Sequence, residues 1–97
     1  MRNIKINVRY YSLISAAIDY RLEETVCLPE NSSILELLQL LCRKYGQPLE
    51  NALFQHPETL SPACWVLLNG ERVRKPECLI LKENTKIILT SPLLVGG

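Results

Sequence analysis

One stretch of this chain is marked at both ends as a helix, and everything around it must supply the rest of a core. Ser33 can accept a hydrogen bond from the amide of Glu36, whose side chain can reach back to the Ser33 amide, a reciprocal cap on a helix start. Ile34, Leu37, Leu38, Leu41, Cys42 and Tyr45 then recur at helical spacing on one side. Burying them stabilises a fold by roughly 1.5–3 kcal/mol for each large apolar side chain. Gly46 supplies a stop, with Arg43 and Lys44 well placed in the last turn against the helix dipole. Leu35 and Leu40 fall outside the stripe and read as core margin, with a contact surface as the alternative. A single stripe cannot form a core against water, so its partner must lie in the flanking segments.

Those segments alternate. Ile4, Ile6 and Val8 interleave with Lys5, Asn7 and Arg9, the period of a half-buried strand. Ser12 to Asp19 reads as a connecting loop. Alternation returns from Arg21 through Leu22, Thr25 or Val26, and Leu28, closing at Pro29; Glu23 and Glu24 break it locally. Beyond the helix, Pro48 can open a short second helix through Leu49, Ala52, Leu53 and Phe54, ended by Pro57. Cys64 to Leu68 is a strand too apolar for an exposed edge. Asn69-Gly70 follows as a hairpin turn, because a type I′ turn needs positive φ at both central positions. Glu71 to Arg74 returns as a short strand stopped by Pro76, and Leu79, Ile80 and Leu81 are expected to plug the bottom of the core. Lys82 to Asn84 turns the chain into a last strand containing Ile87, Ile88 and Leu89.

The order strand, strand, helix, strand, short strand, strand has one economical solution. Neither hairpin can bury its inner face alone, and one amphipathic helix laid across a mixed sheet covers both. The first and last strands then lie parallel at the centre. This predicts an α+β fold of the β-grasp, ubiquitin-like type, with four to five strands and one main helix. The domain is expected to span residues 1–91, with a C-terminal tail at 92–97. At 97 residues and 47% apolar, the chain suffices for one such core and no second.

Charge and cysteine usage exclude several function classes. Eleven Lys and Arg nearly balance ten Asp and Glu, and the densest basic run, Arg72, Arg74 and Lys75, reads as a solvated hairpin edge, so no nucleic-acid partner is expected. Cys27, Cys42, Cys64 and Cys78 form no CxxC pair, which removes the spacing of a zinc knuckle or redox motif. Met1 to Tyr11 alternates where a secretory leader would be continuously apolar, and no apolar run reaches the ~18 residues of a membrane span. Reduced cysteines packed as small hydrophobes in a cytoplasmic protein follow as the expectation. His56 has no second His and no carboxylate partner in sequence, and reads as a loop residue. No nucleophile–base pair or phosphate-binding glycine loop is present.

The chemistry therefore falls on the tail, Pro92-Leu93-Leu94-Val95-Gly96-Gly97. Pro92 cannot donate to a sheet ladder and marks the end of pairing. An α-carboxylate is an anion at neutral pH and a poor electrophile until another enzyme activates it, for example as an acyl adenylate made with ATP. Two glycines pass through a confined channel where a side chain would clash. Leu93, Leu94 and Val95 offer apolar grip, and an apolar docking face is expected near the last strand, with Leu89 assigned to it. Ordering residues 94–97 costs about 4–8 kcal/mol at ~1–2 per residue, which a partner surface must offset.

On these residues the chain resembles the MoaD/ThiS family of sulfur carriers, which includes the small subunit of molybdopterin synthase and the thiamine-pathway carrier. The resemblance rests on Ile4 to Tyr11, Pro29 with the capped helix at Ser33, Val66 to Gly70, Lys86 to Leu89, and the Pro92 to Gly97 ending. Leu89, Ser91-Pro92 and Leu93-Leu94 depart from the aromatics or Pro-Pro that members often carry there. Length favours the molybdopterin-type carrier. The resemblance implies that a ubiquitin-activating-type adenylyltransferase adenylates Gly97 and that a sulfur donor protein converts it to a thiocarboxylate. That group then serves a molybdopterin synthase large subunit or another sulfur acceptor. No bound cofactor is implied; ATP is used by the activating partner. A protein modifier joined to lysines through Gly97, a carrier for thiamine or another sulfur metabolite, and a β-grasp interaction module without tail chemistry are the alternatives.

Overall fold

The computed structural model describes residues 2–56, 59–61 and 64–91. Its main sheet has five strands, β1 (Asn3–Tyr10), β2 (Glu23–Pro29), β5 (Trp65–Leu68), β6 (Glu71–Val73) and β7 (Lys86–Thr90). They lie in the order β2-β1-β7-β5-β6. β1 and β7 are parallel, with Val8 opposite Ile87, and every other pairing in this sheet is antiparallel. The remaining elements are α1 (Ser12–Ala16), α2 (Ile34–Tyr45), α3 (Gln47–Leu53), the two-stranded pair β3 (Phe54–His56) and β4 (Thr59–Leu60), and a 3-10 turn at Pro76–Cys78.

The helix α2 forms as its signals require. Ser33 Oγ accepts from the Glu36 amide and Glu36 Oε1 accepts from the Ser33 amide, each at 3.1 Å. Gly46 ends the helix at φ +86°, and its amide donates to the Cys42 carbonyl. Ile34, Leu37, Leu38 and Leu41 are fully buried in one cluster with Ile4, Ile6, Val8 and Tyr10 of β1, Val66 of β5, and Ile87 and Leu89 of β7. Val26 and Leu28 of β2 complete it. Leu40 packs against this core, as its marginal position predicts. The turn after β5 has positive φ at both Asn69 (+50°) and Gly70 (+92°), the geometry that hairpin strands require.

Five local expectations are corrected. Ser12 to Asp19 is no plain loop: it holds α1, which buries Ile14 and Ser15, with Ile18 buried just beyond. This helix lacks a side-chain cap and opens on Ser12 at φ +55°, so nothing in the sequence announces it. In the second strand the inward set is Glu24, Val26 and Leu28; Leu22 precedes the strand and is 68% exposed. The inward Glu24 is what broke the apolar alternation. Of the three residues expected to plug the core bottom, only Leu81 is buried; Leu79 and Ile80 are exposed, because Ile80 lies opposite Ser33 in a single bridge. Cys27 is exposed on β2, whereas Cys64 is buried and Cys42 half-buried. The segment after Gly46 does more than connect: α3 contributes fully buried Leu49 and Leu53, and Phe54 starts a strand where helix was expected.

Candidate functional site

Strand parity decides what the last strand offers to a partner. Side chains alternate across a sheet, and α2 covers only one face. Ile87 and Leu89 point into the core and are fully buried, so Leu89 has no side-chain surface for a partner as folded. Ile88 and Thr90 point the other way and are partly exposed. On the neighbouring β5, Trp65 and Leu67 share that outer face, Leu67 opposite Ile88 and Trp65 opposite Thr90. An apolar face near the last strand therefore exists, built one residue out of phase with the expected Leu89.

Cations frame it. Arg9 lies opposite Ile88 across the parallel pair, and Arg72 lies opposite Leu67 on β6. The Arg72 guanidinium sits 4.2 Å from the Trp65 ring centroid, a cation–π contact that fixes the indole against the sheet. Arg9 Nε is 3.2 Å from a Glu23 carboxylate oxygen, and a hydrogen bond that Arg9 donates to Tyr11, together with the Glu23 charge, raises the already high Arg9 pKa. Arg9 stays a cation at any relevant pH.

The chain leaves the sheet beside a second apolar group. The Tyr11 amide donates to the Leu89 carbonyl at 2.9 Å, and the Leu13 amide lies 3.4 Å from Ser91 Oγ, so the start of α1 brackets the end of β7. Tyr11, Leu13 and Leu22 are all strongly exposed there. Leu93, Leu94, Val95, Gly96 and Gly97, the residues expected to bear the chemistry, lie outside the described residues, as do Pro57 and Pro62 of the middle segment.

Two of the thiols are held out of chemistry by burial. Burial pushes Cys64 up to about 12 and Cys42 up to about 11, leaving both protonated and unreactive near neutrality. Among the described residues no three His, Cys, Asp or Glu side chains gather as a metal site would require, and no helix is long and apolar enough to cross a membrane.

With this geometry in view, comparison with solved structures decides the fold. The solution structure of small archaeal modifier protein 1 from Methanosarcina acetivorans is 21% identical with a TM-score of 0.76, covering 100% of both chains. Urm1 from Trypanosoma brucei is 18% identical at a TM-score of 0.77, covering 99% of each chain. A candidate molybdopterin converting factor subunit 1 from Pyrococcus furiosus is 21% identical at 0.72, covering 93% of this chain and 99% of its own. This is a ubiquitin-like β-grasp fold. No protein-family model matches the sequence, and no curated protein matches it. The β-grasp frame accounts for the central parallel pair β1–β7 and the single long helix across the sheet. The side chains that frame the outer face, Arg9, Trp65, Leu67, Arg72 and Ile88, were not singled out as site residues by sequence reasoning. Their signal was the parity of β5 and β7, which becomes legible once Val66 and Leu89 are assigned inward.

Proposed function

We propose that this chain is a ubiquitin-like sulfur carrier whose terminal Gly97 is activated and converted to a thiocarboxylate. The observation that supports this most is the exit of the chain from β7. The central strand ends at Thr90, where the Tyr11 amide holds the Leu89 carbonyl and the Leu13 amide lies beside Ser91 Oγ, next to the open apolar face of Ile88, Leu67 and Trp65. An enzyme docked on that face would receive the residues that follow Ser91 in sequence, ending in Gly96-Gly97.

The chemistry balances as two displacements. The Gly97 carboxylate attacks the α-phosphorus of ATP in the activating enzyme, forming an acyl–phosphate bond and releasing pyrophosphate. Sulfide-level sulfur from a donor protein then attacks the carbonyl carbon; a carbon–sulfur bond forms, the acyl–phosphate bond breaks, and AMP leaves. The carrier supplies the carbonyl carbon and the docking surface, and the partners supply nucleotide binding. Leu93, Leu94 and Val95 supply apolar grip in the partner's channel. The acceptor we assign is a molybdopterin synthase large subunit, a reading supported by the shared fold with the Pyrococcus protein. A reducing, cytoplasmic setting belongs to this reading, since activation uses ATP and Cys27 is an exposed free thiol.

A second reading keeps Gly97 but joins it to lysines of other proteins, and the fold shared with small archaeal modifier protein 1 favours it. Intact-mass measurement on protein isolated from its native cells separates the two. A mass gain matching one oxygen replaced by sulfur supports the carrier, and a ladder of conjugates supports the modifier. A mature chain that continues past Gly97, or a Gly96–Gly97 deletion that retains activity, would remove both.

A further inference from the structure

We infer that Lys5, Arg9 and Lys86 form a basic strip on the outer sheet face that docks a carboxylate-bearing protein surface of the activating partner. This rests on the carrier reading above and adds the chemistry of the face that the partner must present. The strip is assembled by topology. β1 and β7 are 79 positions apart in sequence at every paired step, yet Asn7 lies opposite Lys86. Lys5 is the next outward residue on β1, so its Cβ is about 7–8 Å from that of Lys86 on the diagonal.

Around these residues runs a shallow groove of about 460 Å³ lined by Lys5, Asn7, Arg9, Thr25, Asn84 and Lys86, with no carboxylate in its wall. The nearest carboxylates in sequence are already engaged. Glu83 accepts the Lys5 backbone N–H at 2.8 Å, and Glu23 pairs with Arg9. Glu24 is turned inward to Lys44 and Arg21. Among the described residues the ammonium groups of Lys5 and Lys86 therefore have no ion-pair partner. Their positions on the diagonal of one face put two like charges near each other with little screening between them, and an approaching carboxylate relieves that repulsion.

The neighbouring row identifies the class of occupant. Arg9 leads directly to Ile88 and Leu67, so basic and apolar strips share one face. A protein surface satisfies both; a phosphate backbone satisfies only the first. Trp65, the one aromatic side chain on β5, has Arg72 stacked over its ring, so that ring face is closed to a base.

The test uses the full-length protein in an extract of its native cells with ATP, following sulfur mass gain with time. A Lys5→Glu/Lys86→Glu variant is expected to gain sulfur about ten-fold more slowly at low salt, the size of a lost steering effect, with the gap closing at high salt. Arg74→Glu/Lys75→Glu, equal in charge change but at the far edge, should stay within about two-fold on the same reasoning. Equal rates for wild type and the Lys5/Lys86 variant would overturn the docking inference and leave the carrier standing. No mass gain even in wild type would instead remove the carrier reading. A titration independent of that chemistry then judges the strip: hexaglutamate added to isotope-labelled protein should shift the amide signals of Lys5, Asn7, Thr25, Asn84 and Lys86. Shifts confined to Arg72–Lys75, no shifts, or tighter binding of a single-stranded oligonucleotide at the same amides would each overturn it.

Discussion

The Lys44 ammonium lies 2.8 Å from Glu24 Oε1, tying the last turn of α2 to the edge strand β2 across 20 positions of sequence. The Tyr45 hydroxyl donates to the other carboxylate oxygen, and Arg21 Nε approaches it at 3.7 Å. Glu24 is only 6% exposed at its side chain, so it is a charge drawn to the core margin and held there by partners from two elements. Burial pushes its pKa up, but the hydrogen bonds from Lys44 and Tyr45 and the two cations outweigh burial and bring it below the ordinary carboxylate range.

Replacing Glu24 should therefore cost more than a surface substitution. We expect Glu24→Gln to lose about 1.5–3 kcal/mol, the range for hydrogen bonds to a charged group. The folded-state pKa is depressed, so this contribution is complete above the unfolded value and disappears as pH falls through the folded one. Urea titrations at neutral pH and at progressively more acid pH should show the gap between wild type and variant closing on acidification. A gap independent of pH would mean that the carboxylate charge contributes nothing.

Ile88 and Leu89 are adjacent and should behave oppositely. Leu89→Ala removes a fully buried side chain and should cost about 2–5 kcal/mol. Ile88→Ala, on the open face, should stay within about 1 kcal/mol, nearer to a surface change. Function should invert the order: Ile88→Asp with Leu67→Asp should abolish sulfur mass gain in native-cell extract while melting remains cooperative. Normal activity in that double variant would exclude the outer face from docking.

Gly70 tests the turn. At φ +92° it adopts a conformation that side chains disfavour, while no atom lies within 4 Å of the place a Cβ would occupy. Gly70→Ala should thus cost about 1 kcal/mol from backbone conformation alone. Its midpoint in denaturant reports this directly, and a neutral result would mean that the turn relaxes.

Thiol reactivity should follow burial. At mildly alkaline pH, iodoacetamide should label exposed Cys27 readily and leave Cys64, with its thiol pushed up to about 12, unmodified until the protein unfolds. Peptide mapping after a short exposure gives the pattern, and early labelling of Cys64 would show that β5 opens from the sheet.

The elements most legible in sequence were those with local chemistry at both ends. Ser33, Glu36 and Gly46 marked α2, and Asn69-Gly70 marked the second hairpin. Strict alternation marked β1, and with α2 these sufficed for the fold class and for the central parallel pair. What sequence could not supply depended on distant partners. α1 is held by the Ser15 hydroxyl donating to the Arg21 carbonyl and by burial of Ile14, neither visible locally. Glu24 looked like a defect in a strand because its compensation comes from Lys44 and Tyr45, residues of another element. The face beside the chain exit was expected, but its membership turns on whether residue 88 or 89 points outward. The basic strip joins Lys5 to Lys86, which no reading of neighbouring residues could bring together.

The pairing of Val8 with Ile87 also bears on when the molecule first exists. The middle of the sheet stays empty until residues 86–90 have been made, because β7 separates β1 from β5. A nascent chain lacking that strand has two hairpins with nothing between them and no surface on which Ile88 and Leu67 could meet. An enzyme that recognised this surface would thereby be blind to copies lacking β7, and folding would act as its proofreading.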